Sequence, residues 1–337
     1  MMRLYISNFL LFLSFIAVSQ NTAPAIKKLF IKPTMQGEQG IVQNIVKCIA
    51  EDKEDKANDL SYVYRIVSGK AKLTPVNNDA ILDDVLSNKV VIECKVTDSK
   101  GASAVKTFSY KNKTIDKKKL YIDQNAWYGS LMKAHKEHPA MQFQERNPKL
   151  PNVLLIGNSI SIGYTPFVQK ILKDKANVYR IPENGGDTQK AVKKLDFWLG
   201  DKQWDVIHFN FGLHDMKRLI GNNLDIKGKK VISEKDYVSN LEKIVAKLKN
   251  ETNAKLIWAT ISVVPKGAKG RIKGEEVTYN EIALEVMKKN NIQIDDQYKL
   301  TLDHPEDQQP ANVHFHEQGC ERQAQQVVQE ILQSLKN

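Results

Sequence analysis

From about residue 152 onward the chain alternates short apolar runs with longer stretches of helical periodicity. That alternation limits the possible folds more than any other feature. Residues 152–156 hold Val153, Leu154, Leu155 and Ile156 in unbroken succession. Further short runs follow at 178–181, 206–211, 255–264 and 292–295. Between them, 165–173, 188–199, 234–249 and 278–290 place apolar residues at helical spacing, as do Tyr237, Leu241, Ile244, Val245 and Leu248. The chain then closes on an amphipathic helix carrying Ala324, Val327, Val328, Ile331, Leu332 and Leu335. Strands that are apolar throughout, each followed by a helix, predict a parallel sheet covered on both faces. Ligands of such sheets gather beyond the carboxyl ends of the strands, so the residues that follow each strand are the first candidates for function.

The N-terminal third reads differently. Runs at 28–31, 41–49, 62–67, 90–96 and 104–110 are short and rich in β-branched and aromatic residues. Turn residues such as Asn77-Asn78-Asp79 and Asp98-Ser99-Lys100-Gly101 punctuate them. About seven strands of this kind predict a small all-β sandwich over 24–113. A basic connector at 114–149 leads into the α/β domain at 150–337. Ahead of both, Arg3 and the short apolar run Phe9 to Val18, with Ala17 and Ser19 as small residues at its end, have the form of a cleaved export signal over 1–20. The run is too short to favour a spanning helix of about 20 residues, so stable membrane insertion is not expected. No Cys closely follows it, which argues against a lipid anchor. The expected location is outside the cell or in the periplasm. Export permits disulfides, and Cys48 and Cys94 lie in predicted strands where either a bridge or two buried thiols fits.

The formal charge of +11 comes from scattered lysines. Attraction to acidic or sulfated polysaccharide and a solvated lysine-rich surface both account for it. No nucleic-acid module accompanies the charge.

Four segments at strand ends bear reactive groups: Gly157-Asn158-Ser159, Asn184-Gly185-Gly186-Asp187-Thr188, Gly212-Leu213-His214-Asp215 and Asn312-Val313-His314. Together they supply what acyl transfer needs: a hydroxyl nucleophile, a histidine base, and glycine N–H groups with a side chain to hold an oxyanion. In order and position these segments resemble the four sequence blocks of the SGNH (GDSL-like) hydrolase family over about 150–335. The Gly-Leu-His-Asp form of the third block resembles a bacterial subgroup. The resemblance implies a flavodoxin-like three-layer α/β/α domain, a Ser159 nucleophile and a His314 base, without metal or cofactor. It also implies an oxyanion hole made by the N–H groups of Ser159 and Gly186 and by the His214 side chain. Asn158 and Asp215 are then structural neighbours of the site.

Three positions depart from the family pattern: Asn158 for Asp, His214 for Asn and, most seriously, Ala311 where the triad Asp belongs. Asn312, Asp307, Asp303, Glu306 or a backbone carbonyl are the candidates left to orient His314. The N-terminal segment resembles Ig-like or PKD-like modules of exported enzymes, which implies a spacer or a polysaccharide contact through 24–113. The resulting expectation is a carboxylic ester hydrolase acting through an acyl-enzyme on a small ester or an O-acetylated carbohydrate. The alternatives are a lipase or arylesterase, or a non-catalytic glycan-binding protein on a decayed scaffold. His208, inside the third strand, is expected to be a satisfied core residue rather than a catalytic one.

Overall fold

The computed structural model describes residues 21–36, 41–83, 85, 87, 89–111 and 115–336. The expected export signal at 1–20 lies outside them. The described residues fall into two compact units that divide near residue 112.

The first unit is all-β: β1 (Ala25–Gln36), β2 (Ile41–Glu51), β3 (Ser61–Ser68), β4 (Lys72–Val76), β5 (Asp79–Asp83), β6 (Lys89–Thr97) and β7 (Ser103–Lys111). One sheet has the order β1-β2-β5-β4 and the other β3-β6-β7. The pairings β2–β5, β4–β5, β3–β6 and β6–β7 are antiparallel. Strand β6 shows why the sheets form a shared core. Val90, Ile92, Cys94 and Val96 alternate inward and meet Leu29, Val46, Ala80 and Leu82 from the other sheet. The weakly apolar β4 and β5 escape the sequence reading. They form a hairpin around Asn77, whose φ of 52° suits its asparagine. Cys48 and Cys94 are thiols in mutual contact. Their hydrogen bond pushes Cys94 up and Cys48 down in pKa.

The second unit carries α1 (Gln124–Ser130), β8 (Asn152–Ile156), α2 (Ser159–Ile171), β9 (Asn177–Arg180), α3 (Thr188–Leu199) and β10 (Val206–Phe209). Three short strands follow, β11 (Arg218–Ile220), β12 (Asn223–Leu224) and β13 (Lys229–Lys230). Next come α4 (Glu234–Glu251), β14 (Lys255–Ala259), α5 (Glu275–Lys289), β15 (Gln293–Asp295), α6 (Gln297–Asp303) and α7 (Glu317–Lys336).

Five strands pair in parallel in the order β15-β14-β10-β8-β9. Right-handed crossovers then put α2 on one face and α3, α4 and α5 on the other. The packing agrees, because α2 lies against α7 while α3 meets α4 and α4 meets α5. The chain leaves β8 for β9 on one side and returns to β10 on the other. The carboxyl ends of β8 and β10 therefore flank the point where strand order reverses, the usual place for a ligand in such sheets.

Two differences from the sequence expectation bear on the site. The helix expected at 165–173 begins six residues earlier, at Ser159, because Asn158 caps it by accepting from the Ile160 N–H at 3.0 Å. Pro166 sits inside that helix and masks its start from periodicity. Residues 114–149, read as a connector, contribute Leu120, Tyr121, Trp127, Leu131 and Met141 to the core of the second unit. Arg180, buried at 1% exposure, donates to the carbonyls of Ile181 (2.8 Å) and Glu183 (3.0 Å) and lies 3.4 Å from the Met141 sulfur.

Candidate active site

The residues beyond β8 form a tight turn. Asn158 caps α2, Ser161 Oγ donates to the Asn158 carbonyl at 2.8 Å, and Arg180 Nη2 braces Ser161 Oγ at 3.2 Å. Gly185 N–H donates to the Gly157 carbonyl at 2.9 Å, and a Cβ at Gly185 would stand 2.8 Å from that oxygen. Only glycine allows the second loop to press this closely on the first. Ser159 thus becomes the first residue of α2, half-buried at the positive end of the helix. Asn158 Nδ2 also reaches Asn210 Oδ1 at 3.4 Å, and Asn210 Nδ2 donates to the Ala259 carbonyl at 2.6 Å. Asn210, just past β10, is a site neighbour that the sequence reading missed, although it stands at a strand end like the others.

His314 arrives on a loop that closes on itself. Gln309 N–H donates to the His314 carbonyl at 2.9 Å, and His316 N–H to the Asp307 carbonyl at 2.8 Å. Val313 and Phe315 are buried on either side of it, which turns the His314 ring the opposite way. At the loop's tip Asn312 N–H donates to the Gln309 carbonyl at 3.2 Å. Pro310 and Ala311 occupy the two middle positions of that turn, with Ala311 at a φ of 52°.

The turn brings Asn312 back beneath the ring. His314 Nε2 lies 2.8 Å from Ser159 Oγ, and His314 Nδ1 lies 2.8 Å from Asn312 Oδ1. The amide orientation follows from its neighbours. The His314 backbone N–H points at the same Oδ1 (3.2 Å), and Asn312 Nδ2 donates to Gln309 Oε1 at 2.9 Å. Nδ1 therefore carries the hydrogen, and Nε2 is left with a lone pair for the serine hydroxyl. Hydroxyl, imidazole and amide oxygen thus stand in the order that a nucleophile, a base and an orienting acceptor would take, with an amide in third place.

The other candidate orienters are occupied elsewhere. Asp307 is buried and pairs with Arg322 at 2.6 Å, Asp303 is exposed and meets Lys299 at 2.5 Å, and Glu306 meets His304 at 3.2 Å. His304, Glu306 and Asp307 bring ligand-type atoms within 4.8 Å of one another, but Asp307 is already committed to Arg322.

Of the three expected oxyanion groups, Gly186 and His214 differ in readiness. Gly186 N–H donates to Asn184 Oδ1 at 3.0 Å, so it can serve an oxyanion only after that amide turns away. His214 is 2% exposed, and its Nδ1 lies 3.4 Å from Lys217 Nζ. An ammonium only donates, so Nδ1 accepts and Nε2 carries the hydrogen. Burial, and then the nearby Lys217, hold the His214 pKa well below its ordinary value and keep the ring neutral. Asp215 accepts from Thr188 N–H (2.9 Å) and Oγ1 (2.5 Å), and burial pushes its pKa up to about 7. Asp187 caps α3 through the Lys190 N–H. His208 Nε2 bonds Asp295 Oδ2 at 2.8 Å deep in the core.

Beside His314 opens a cleft of about 290 Å³ whose lining includes Leu224, Lys269, Arg271, Ala311 and Asn312. Lys217 and Arg271 are further groups that the sequence reading missed. Nothing in their lysine-rich surroundings marks these two charges as ones that become buried.

No family model matches the chain, and no curated protein matches it. Solved structures that resemble it include a lipase/acylhydrolase from Enterococcus faecalis: 22% identity, 54% of this chain and 95% of that one, TM-score 0.46. A GDSL-like lipase from Bacteroides thetaiotaomicron shares 16% identity over 60% of this chain and 97% of that one, with a TM-score of 0.46. An acetylxylan esterase from Geobacillus stearothermophilus shares 16% identity over 54% of this chain and 94% of that one, with a TM-score of 0.45. Among the described residues no helix is long and apolar enough to cross a membrane.

Proposed function

We propose that the chain is a serine esterase that works through an acyl-enzyme. The observation that carries this reading is the 2.8 Å approach of Ser159 Oγ to His314 Nε2, across 155 positions of sequence. In the proposed cycle His314 takes the serine proton as Oγ attacks an ester carbonyl. Asn312 holds the ring in the tautomer that leaves Nε2 basic. The tetrahedral oxyanion rests on the Ser159 N–H and the His214 Nε2–H, with Gly186 joining when Asn184 releases it. His314 then returns its proton to the departing alcohol. Water enters by the same route and frees the acid.

An amide in third place still fixes the tautomer, as in Cys-His-Asn enzymes, but brings no negative charge to steady the imidazolium. Ala311 therefore does not leave the histidine unoriented, because the next residue takes that role. For the substrate we favour an O-acetylated carbohydrate. This rests on the export signal read at 1–20 and on the Ig-like accessory module read at 24–113, not on site geometry.

The test is hydrolysis of 4-nitrophenyl acetate by purified protein. Turnover that disappears in Ser159→Ala is the expected result. Equal rates for the two proteins would sink the catalytic reading and leave a binding protein on this scaffold.

A further inference from the structure

The cleft beside His314 contains two cationic side chains, Lys269 and Arg271, and no carboxylate among its lining residues. Arg271 is 4% exposed. Its Nε donates to the Leu213 carbonyl at 2.8 Å, and its Nη1 to the Lys269 carbonyl at 3.3 Å. Its Nη2 has no acceptor among the described residues.

Arg271 differs in this from several other cations of the unit. Arg218 pairs with Glu275, Lys230 with Glu275 at 3.1 Å, Arg322 with Asp307 at 2.6 Å, and Lys190 with Glu183 at 2.8 Å. Lys217, 3% exposed and close enough to feel the Arg271 charge, is likewise without a carboxylate at ion-pair distance among the described residues. Asp187 and Asp215 act on it only from farther away.

Burying a guanidinium without a counter-charge is costly, and the cost falls when an oxyanion comes to meet it. A guanidinium fork matches carboxylate and sulfate oxygens geometrically. Holding the Leu213 carbonyl does not by itself require a charge, because a neutral amide could donate there. Burial draws the Arg271 pKa down to about 10, which still leaves the group charged at neutral pH.

We infer that this cleft is a subsite for an anionic substituent, carboxylate or sulfate, carried by the acylated substrate and held by the Arg271 guanidinium with Lys269 at the rim. The inference takes its substrate from the esterase reading above, while the anion comes from the cleft alone. Nη2 is enclosed as the cleft stands, so the ligand reaches it when side chains of the cleft wall shift. The formal charge of +11 would also draw such substrates in.

The experiment compares three acetate esters: methyl 4-acetoxybenzoate, 4-acetoxybenzoate and 4-acetoxybenzenesulfonate. Each is measured with wild type, Arg271→Gln, Arg271→Lys and Lys269→Gln. The quantity read is kcat/KM for a charged ester divided by that for the neutral one, so general damage to the site cancels. We expect Arg271→Gln to lower the ratio about tenfold or more, with partial recovery in Arg271→Lys, and the exposed Lys269→Gln to lower it about threefold. A drop confined to the carboxylate or to the sulfonate identifies the anion.

Should Arg271→Gln not fold, Lys269→Gln and the fall of the wild-type ratio in 0.5 M salt, about threefold, still decide the matter. Ratios indifferent to both residues and to salt overturn the subsite. Calorimetry of glucuronate with Ser159→Ala separates the two readings. Glucuronate binding that Arg271→Gln weakens, without hydrolysis of any ester by wild type, keeps the subsite and removes the esterase. Ser159-dependent hydrolysis with unchanged ratios does the reverse.

Discussion

His314 and His208 lie in the same α/β unit, and each bonds a side-chain acceptor at 2.8 Å, yet their surroundings differ in every other respect. His208 has a carboxylate partner, Asp295, which Gln297 and Gln326 also hold, and the pair is 1% and 0% exposed. His314 has only an amide behind it, but its other nitrogen faces a half-buried serine at a helix start and an open cleft. The pair that better matches a triad on paper is enclosed between the sheet and α7, with the Tyr164 ring at its edge. On the proposed mechanism, access to a serine hydroxyl and to an open cleft suits a histidine for catalysis, and a carboxylate partner alone does not. The core pair ties β10 to β15 and α7 and serves the fold.

The comparison is broken most directly by removing each histidine. His314→Ala and Ser159→Ala should each lower kcat on an aryl acetate by about a thousandfold or more, and the double variant should lose little beyond either single one. Their melting temperatures should stay close to wild type, because the ring is only partly buried. Additive losses in the double variant would mean that the two groups do not act as a unit.

The core pair should give the opposite result. Asp295→Ala leaves the buried His208 Nε2 and two glutamine amides without their acceptor, at a cost of about 3–5 kcal/mol in urea unfolding. Activity of the fraction that stays folded should change less than twofold. If specific activity collapsed while stability held, His208 would belong to the chemistry.

How much of this was legible beforehand depends on the range over which each feature is determined. The meeting of Ser159 and His314 could be anticipated because Ser159 directly follows the buried strand β8 and His314 stands just ahead of the last helix, α7, which packs against α2. The partner of His314 could be narrowed to four side chains or a backbone carbonyl but not chosen. It depends on Pro310 and on Ala311 adopting a positive φ, and alanine gives no sign of that in sequence. Arg271 could not be found at all, because it differs from its exposed lysine neighbours only through packing against the Leu213 carbonyl. The short strands β11 to β13 escaped for a related reason: runs of two or three residues carry no period.

Exchanging the partners sharpens the contrast at smaller amplitude. Asn312→Ala should lower kcat/KM about a hundredfold by freeing the ring to adopt either tautomer. Asn312→Asp gives His314 the kind of partner His208 already has. A nearby negative charge favours the imidazolium, so the acid limb of the kcat/KM profile should move up by about one pH unit or more. An unmoved limb would show that the side chain at 312 does not reach Nδ1 during turnover.

A further contrast concerns Asp215, a buried carboxylate of the same unit that has a threonine rather than a histidine as its partner. Burial holds its pKa near 7 in the folded state, against an ordinary value of 3.8 in the unfolded chain. The unfolded chain therefore releases the proton first as pH rises, and the wild type loses stability between about pH 4 and pH 7, with no further loss above that. Asn at this position cannot ionise and can still accept from Thr188 through its carbonyl oxygen. The unfolding free energy of Asp215→Asn should gain on the wild type steadily across that window and then run parallel to it. Chemical denaturation of both proteins at pH 4.5, 6 and 8 measures the difference. A gap that stays constant with pH would mean that the carboxylate is ionised throughout, held so by the two Thr188 donors, and that those bonds outweigh burial.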